Sequence, residues 1–269
     1  MSSSFFPKTK SVPIFRRLIF ASLWGGDGTV LFAALKCAPL KIPVFPVNFG
    51  EFGFIANIQK DTWQSELDIF LAGKSVLTSR SMLEMWLYRD GKEAAHSLAL
   101  NDAVLCSRMG AHIITTDIAC GVGSADNIGN DLHALPQNRL KPLGTFKSDG
   151  IIVSSATGST AYSLAAGGPI IDPSIDAIVL TPVCAFSLSS RPLVLASETV
   201  LLITLQDSGI ALLADGQELG GTCSKGESII IKRAEHTVKL AGSTSESFYA
   251  ALRSKMNWSG GHGDTGIPN

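Results

Sequence analysis

The chain lacks a charge imbalance. Its 22 Lys and Arg against 23 Asp and Glu leave −1 at neutral pH, which gives no reason to expect nucleic acid or an anionic membrane as partner. Cysteine is sparse, and the five residues Cys37, Cys106, Cys120, Cys184 and Cys223 are odd in number and far apart. No C-x-x-C pair or Cys/His ligand spacing occurs, which argues against a disulfide scaffold or a zinc site and for reduced thiols in a cytoplasmic protein. Internal repeats are missing too. The longest charge-free stretch, residues 151–171, is broken by Gly158, Gly167, Gly168, Pro169 and many hydroxyls, so it does not read as a membrane span. Residues 1–26 contain no acid and carry Lys8, Lys10, Arg16 and Arg17. That is superficially like an export signal, but the apolar run is short and leads into a Gly/Asp loop instead of a small-residue cleavage site. Residues 1–10 read as a loose tail.

What is present is a globular composition, 45% apolar over 269 residues, enough for one large domain or two modest ones. The organising stretch is Gly25-Gly26-Asp27-Gly28-Thr29. An apolar run over 18–24 predicts a buried strand before it, and residues 30–36 predict the start of a helix after it. Glycines let backbone N–H groups approach a ligand, and a helix N-terminus beside them favours phosphate. A carboxylate there repels phosphate unless it acts as a base or holds a cation. The plainer reading is a strand-to-helix turn with Asp27 as N-cap.

Residues 41–47 are β-rich with two prolines, which suits a sheet edge or a strand end. A second glycine loop follows over 48–54. Trp63, Leu67, Phe70 and Leu71 fall on one helical face ended by Gly73 and Lys74. Residues 15–73 therefore read β-α-β-α, a Rossmann-like unit with glycine loops at its strand ends. Beyond residue 79 the pattern turns to strands. Residues 82–88 and 96–105 flank an Asp90-Gly91 turn, with further strands at 113–119, 151–155, 177–180, 200–205, 210–213, 228–232 and 237–241. Asp215-Gly216 is another turn signal, residues 160–166 form a helical interlude, and 247–257 form a last helix. The expected fold is α/β plus all-β. A Rossmann-like α/β domain (1–97) precedes a β-rich, β-sandwich-like domain (98–241), and a C-terminal helix and tail (242–269) pack back on the first.

Two polar clusters stand out in the β region. Asn101-Asp102 sets an amide beside a carboxylate; on a continuous strand they would face opposite ways, so a shared ligand requires the strand to end there. Residues 149–164 join a buried strand to a hydroxyl-rich loop around Gly158. That loop offers donors for phosphate or ribose, and Tyr162 offers a ring.

Taken in order, these motifs resemble bacterial NAD kinases. They are GGDGT at 25–29, Asn-x-Gly-x-x-Gly-Phe at 48–54, Arg80, Asn101-Asp102, TGSTAY at 157–162, the run from Gly167 to Leu195 ending RPLVL, and a C-terminal helix. Lipid kinases share the first motif but not the TGSTAY-to-RPLVL block. The resemblance implies an ATP-dependent phosphotransferase that converts NAD to NADP. Asp27 would take the proton from the adenosine-ribose 2′-hydroxyl, and Gly25, Gly26, Gly28 and Thr29 would receive phosphates. Phe54, Asn101, Asp102, His112, Lys147, Asp149, Thr160, Ala161, Tyr162, Ser163, Leu164, Ala165 and Gln217 would contact NAD. Mg²⁺ would arrive with ATP, with no dedicated protein metal site, and the family's habit implies a cytoplasmic homodimer or homotetramer. Alternatives are another GGDGT-type kinase, of lipid or sugar, and a non-catalytic NAD-binding protein.

The chain also departs from the pattern. Asp102 replaces a usual Glu, Lys147 stands where Arg is common, and Ser155-Ala156 and Ala185-Phe186 replace Thr-Pro and Pro-His. Residues 106–148 diverge most, with a glycine-rich loop expected over 121–138. About two dozen residues precede Asp27, implying a short member or a start later than the true one.

Overall fold

The computed structural model describes residues 20–50, 53–110, 112–122 and 140–257. The expected tail over 1–10 and most of the loop at 121–138 lie outside the described residues. The chain opens with β1 (Ala21–Trp24), α1 (Asp27–Cys37), β2 (Val44–Asn48), β3 (Ile58–Gln59) and α2 (Trp63–Leu71). Strands β4 (Leu77–Arg89), β5 (Lys92–Ala99), β6 (Asp102–Ser107), β7 (Ile114–Val122), β8 (Lys141–Ser148) and β9 (Gly150–Ser155) follow. After α3 (Tyr162–Ala165) come β10 (Ala177–Val183), β11 (Leu193–Ala196), β12 (Thr199–Leu205), β13 (Ile210–Ala214), β14 (Gln217–Cys223), β15 (Ser228–Ala241) and α4 (Ser245–Lys255).

Two sheets result. The larger runs β1-β2-β15-β12-β7-β8, with β3 on β2, β4 on β15 and β5 on β4; the smaller runs β11-β10-β9-β6-β13-β14. Alternation builds the layer between them. Ile229 and Ile231 of β15 join Leu83, Met85 and Leu87 of β4 against Leu105, Ile151, Val153 and Leu212 of the smaller sheet. Ile230 faces the other way, toward Trp86 and Tyr88. Each fully buried aliphatic side chain of this layer contributes roughly 1.5–3 kcal/mol. The α/β beginning, the β-rich sandwich and the returning C-terminal helix are therefore as the sequence implies.

Several boundaries are corrected. Helix α1 begins at Asp27, not residue 30, and its N-cap is Gly26; the Asp27 side chain does not cap its own helix. The strand expected at 96–105 is two strands in different sheets, broken at Leu100-Asn101. Asp215 causes the break by drawing three consecutive N–H groups out of any ladder. Segments 228–232 and 237–241 are one strand, its register shifted between Arg233 and Thr237. Strand β2 is interior, despite its prolines. Pro43 and Val47 direct their carbonyls to Ala21 and Gly25. By alternation Pro46 faces the other side, between the Val44–Leu240 contact with β15 and the Val47–Ile58 contact with β3, where no ladder partner requires an N–H. The helical interlude is a 3₁₀ turn, Thr157–Thr160, followed by the short α3.

Candidate active site

The first locus is the loop between β1 and α1. Gly25 N–H donates to Val47 O at 3.0 Å, tying the loop to β2. A Cβ on Gly25 would lie 2.3 Å from Thr29 Oγ1, so the close approach requires glycine there. Asp27 is half-buried and reaches across to the second glycine loop. Its Oδ2 accepts from Phe54 N (3.0 Å), and its Oδ1 accepts from Ile55 N (3.2 Å) and Ala56 N (2.9 Å). Gly53 is obligatory for this contact, since a Cβ there would come within 2.2 Å of Asp27 Oδ1. Asn48 closes the loop, with Nδ2 on Ala56 O at 3.1 Å and Oδ1 on Gly50 N at 2.9 Å. A carboxylate has about four acceptor positions. Three are occupied, which leaves one, on Oδ2, for an incoming hydroxyl.

The second locus forms where the chain changes sheets. Asp215, at φ 47° in the β13–β14 turn, accepts from Leu100 N (2.7 Å), Asn101 N (2.8 Å) and Asp102 N (3.1 Å). From β9, Ser155 Oγ donates to Leu100 O (2.5 Å) and Ser155 N donates to Asn101 O (2.9 Å). Gly158 packs on the Asn101 carbonyl so closely that a Cβ would sit 2.0 Å from its oxygen. The Asn101 Oδ1 atom is buried and has no hydrogen-bond partner among the described residues. Asp102 is buried, and its carboxyl is pushed up to about 7, first by burial and then by the Asp215 carboxylate. Burial raises Asp215 as well, against the pull of its three backbone donors.

Thr160 and Ala161 lie half-buried beside this locus, and Tyr162 is exposed. Ser163 is turned inward, its Oγ 2.9 Å from Thr181 Oγ1 and packed against Gly168; Leu164 and Ala165 complete the short helix. Gln217 follows the Asp215-Gly216 turn and is exposed. The two loci share one core, because Leu100 packs in the same cluster as Val30, Ile55 and Ala56. Helix α4 packs on the second glycine loop from outside and reaches the segment after α3. Phe248 meets Phe54 at 6.1 Å between ring centroids, Lys255 stands over the Phe54 ring, and Tyr249 Oη donates to Asp172 Oδ2 at 2.7 Å.

His112, Lys147 and Asp149 are not brought to these loci. Lys147 pairs with Thr115 on β7–β8, and His112 precedes the start of β7 at that same end. Asp149 stands at the Gly150 end of β9, five residue steps or about 16 Å from the Ser155 end. Sequence reasoning missed Asp215 as anything but a turn residue. Its partners are more than a hundred positions upstream, and no local signal marks them.

A family model described as the ATP-NAD kinase N-terminal domain matches residues 19–75, and the ATP-NAD kinase C-terminal domain matches 137–242. The NAD kinase of Treponema denticola is 45% identical over 239 residues, covering 88% of this chain and 78% of that protein. The chain belongs to the NAD kinase family. Its activity is that of an NAD kinase, a transferase that phosphorylates NAD. The NAD kinase of Geotalea daltonii is 34% identical over 96% of this chain and 84% of its own length. The fold is shared more widely among NAD kinases. Yeast NADH kinase, solved with NADH, superposes at a TM-score of 0.78 with 24% identity, covering 94% of this chain and 70% of that one. An Archaeoglobus fulgidus NAD kinase, solved with ATP, gives 0.69 at 23% identity, covering 90% and 84%. Among the described residues no group of three or more His, Cys, Asp or Glu could hold a metal, and no helix is long and apolar enough to cross a membrane. All five cysteines are unpaired.

Proposed function

We propose that Asp27 is the general base that takes the proton from the adenosine-ribose 2′-hydroxyl of NAD while the γ-phosphoryl of ATP is transferred to that oxygen. The observation that carries this reading is the single open acceptor position on Asp27, whose other three are held by Phe54, Ile55 and Ala56. Three backbone donors fix the carboxylate in one orientation, and a secondary hydroxyl needs such a positioned acceptor to become a nucleophile. Gly25, Gly26, Gly28 and Thr29 receive the phosphates at the start of α1; a Cβ on Gly26 or Gly28 would meet nothing within 4 Å, so this face of the loop is open.

Asn101 and Asp102 contact the nucleoside of NAD. The buried, unpartnered Asn101 Oδ1 supports this, since such an atom is costly unless a donor arrives. Phe54, Thr160, Ala161, Tyr162 and Gln217 line the same cleft; Ser163 and its helix hold the turn. Mg²⁺ enters as part of the donor substrate. Asp27, with one acceptor position left, offers no cage for a cation that prefers six oxygens, most of them from phosphate and water.

His112, Lys147 and Asp149 reach NAD from a second copy of the chain, in a homodimer or homotetramer. Their separation from the cleft along β9 supports this reading. The unpaired cysteines support a cytoplasmic location. The division at residues 97 and 241 is proposed on the chain's passage from β5 in one sheet to β6 in the other.

The test is direct. Purified protein given NAD, ATP and Mg²⁺ is expected to form NADP carrying its new phosphate at the adenosine 2′ position, read by phosphorus NMR. Binding of NAD with no NADP from any phosphoryl donor would instead favour the non-catalytic alternative.

A further inference from the structure

Like Asp27, Asp215 commits its carboxylate to three consecutive backbone N–H groups, but it does so at the point where the chain changes sheets. Its two oxygens collect the N–H groups of Leu100, Asn101 and Asp102 at 2.7, 2.8 and 3.1 Å, and its own N–H donates to Asp102 O at 3.0 Å. Three N–H groups in a row pointing at one carboxylate form a concave nest, a backbone shape that a continuous strand cannot adopt. This nest is what stops β5 at Ala99 and restarts the chain as β6 in the other sheet. The cost is visible. Asp215 takes a left-handed φ of 47°, uncommon for a residue with a side chain, and its carboxylate is half-buried beside the buried Asp102. A structural break alone needs neither feature, because Gly or Asn would terminate a strand with less burial of charge.

We propose that Asp215 is a positioning residue for NAD: it sets the direction of the Asn101 and Asp102 side chains, and so governs acceptor affinity without touching the substrate. On a regular strand those two side chains would diverge. The nest, together with Ser155 on the Leu100 carbonyl and Gly158 against the Asn101 carbonyl, pins the backbone from three sides. The same carboxylate tunes its neighbour. Asp215 is the titratable group that faces Asp102, since β9 opposes Asp102 with Ser154. Its negative charge favours the protonated form of Asp102. An ionised Asp102 accepts from ribose hydroxyls, so NAD affinity rises as pH passes upward through neutrality. This inference rests on the assignment of Asn101 and Asp102 to the nucleoside of NAD.

The experiment is steady-state kinetics of Asp215→Asn and Asp215→Glu with NAD and ATP varied separately, from pH 5.5 to 9. Asp215→Asn keeps the size and replaces one acceptor oxygen with an amide NH2 that opposes the N–H donors; Asp215→Glu keeps the charge and displaces it by a methylene. Both are expected to raise KM for NAD about 10-fold or more, with KM for ATP within about 2-fold and kcat changed far less than kcat/KM for NAD. In Asp215→Asn the neutral-pH limb of kcat/KM for NAD moves to lower pH, a shift that simple loss of folded protein does not produce. If Asp215→Asn does not fold, Asp215→Glu carries the KM comparison.

Wild-type KM for NAD in the folded variants, or equal losses toward both substrates with an unmoved pH profile, would overturn the proposal. Asn101→Ala and Asp102→Ala separate the two levels. If they raise KM for NAD and the Asp215 variants do not, only the positioning role is lost. If none of the four changes KM for NAD, the assignment of the loop to NAD is lost with it.

Discussion

At the residue scale, the site depends on a few side chains whose surroundings leave little freedom. Gly158 is the clearest. Because a Cβ would overlap the Asn101 carbonyl, Gly158→Ala must push the Asn101 loop away. The expected result is a rise in KM for NAD together with a loss of roughly 1–3 kcal/mol in stability, seen by urea denaturation. An unchanged KM in a stable variant would show that the loop's position does not matter. Asp102 gives a pH test. Its folded-state value, about 7, lies above the unfolded one, so the stability it contributes is complete below the usual carboxylate range and is lost as pH rises through about 7. Thermal melts of wild type and Asp102→Asn should therefore diverge as pH climbs from 4 to 7, the variant being the relatively more stable above neutrality. Parallel curves would contradict the assignment. Asp27 is legible as a candidate in the sequence because glycines and Thr29 flank it, and Asn101-Asp102 because an amide and a carboxylate stand side by side in an apolar run. Asp215 is not. Its role consists of three hydrogen bonds to a distant segment, and sequence shows only an Asp-Gly turn.

At the element scale, α4 braces the second glycine loop, which carries the donors to Asp27. Its N-terminus is a capping box, Thr244 and Ser247 exchanging hydrogen bonds at 3.2 and 2.9 Å, and Asn57 Nδ2 reaches Ser247 Oγ at 3.2 Å. Thr244→Ala should cost about 1 kcal/mol, and in a chain of this size lower Tm by about 2–4 °C. Calorimetry checks the size of that shift. The helix itself is readable from the spacing of Phe248, Leu252 and Met256. Its cap, Thr244, stands four residues before the apolar pattern starts and is polar and local. Strand β15 shows the opposite difficulty. Its apolar residues are plain, but a register shift near Ala234 interrupts their alternation, so one 14-residue strand reads as two short ones. Strand β2 misleads for another reason: two prolines argue for an edge or a strand end unless one already knows that the strands on the Pro46 side contact it only near its two ends.

At the scale of the whole molecule, stability resides in the layer between the sheets. Leu87 is fully buried there, and Leu87→Ala is expected to cost about 2–5 kcal/mol by denaturation, with KM values unchanged in the folded fraction. The assembly is testable by the same logic. If a second copy supplies Lys147 and Asp149, sedimentation should show a dimer or larger species, and mixing Asn101→Ala chains with Asp149→Ala chains should restore some wild-type sites. A fully active monomer would contradict that arrangement. Which residues of one chain sit far apart was not readable from sequence, since motif order carries no information about which end of a strand a residue occupies.

The central claim is that one carboxylate, fixed by three backbone donors, acts on the acceptor hydroxyl. The most direct measurement compares Asp27→Asn with wild type in kcat for NADP formation and in calorimetric Kd for NAD. The account predicts kcat lower by about 10²-fold or more with Kd for NAD nearly unchanged. Retained turnover, or equal loss of binding and turnover, would contradict it.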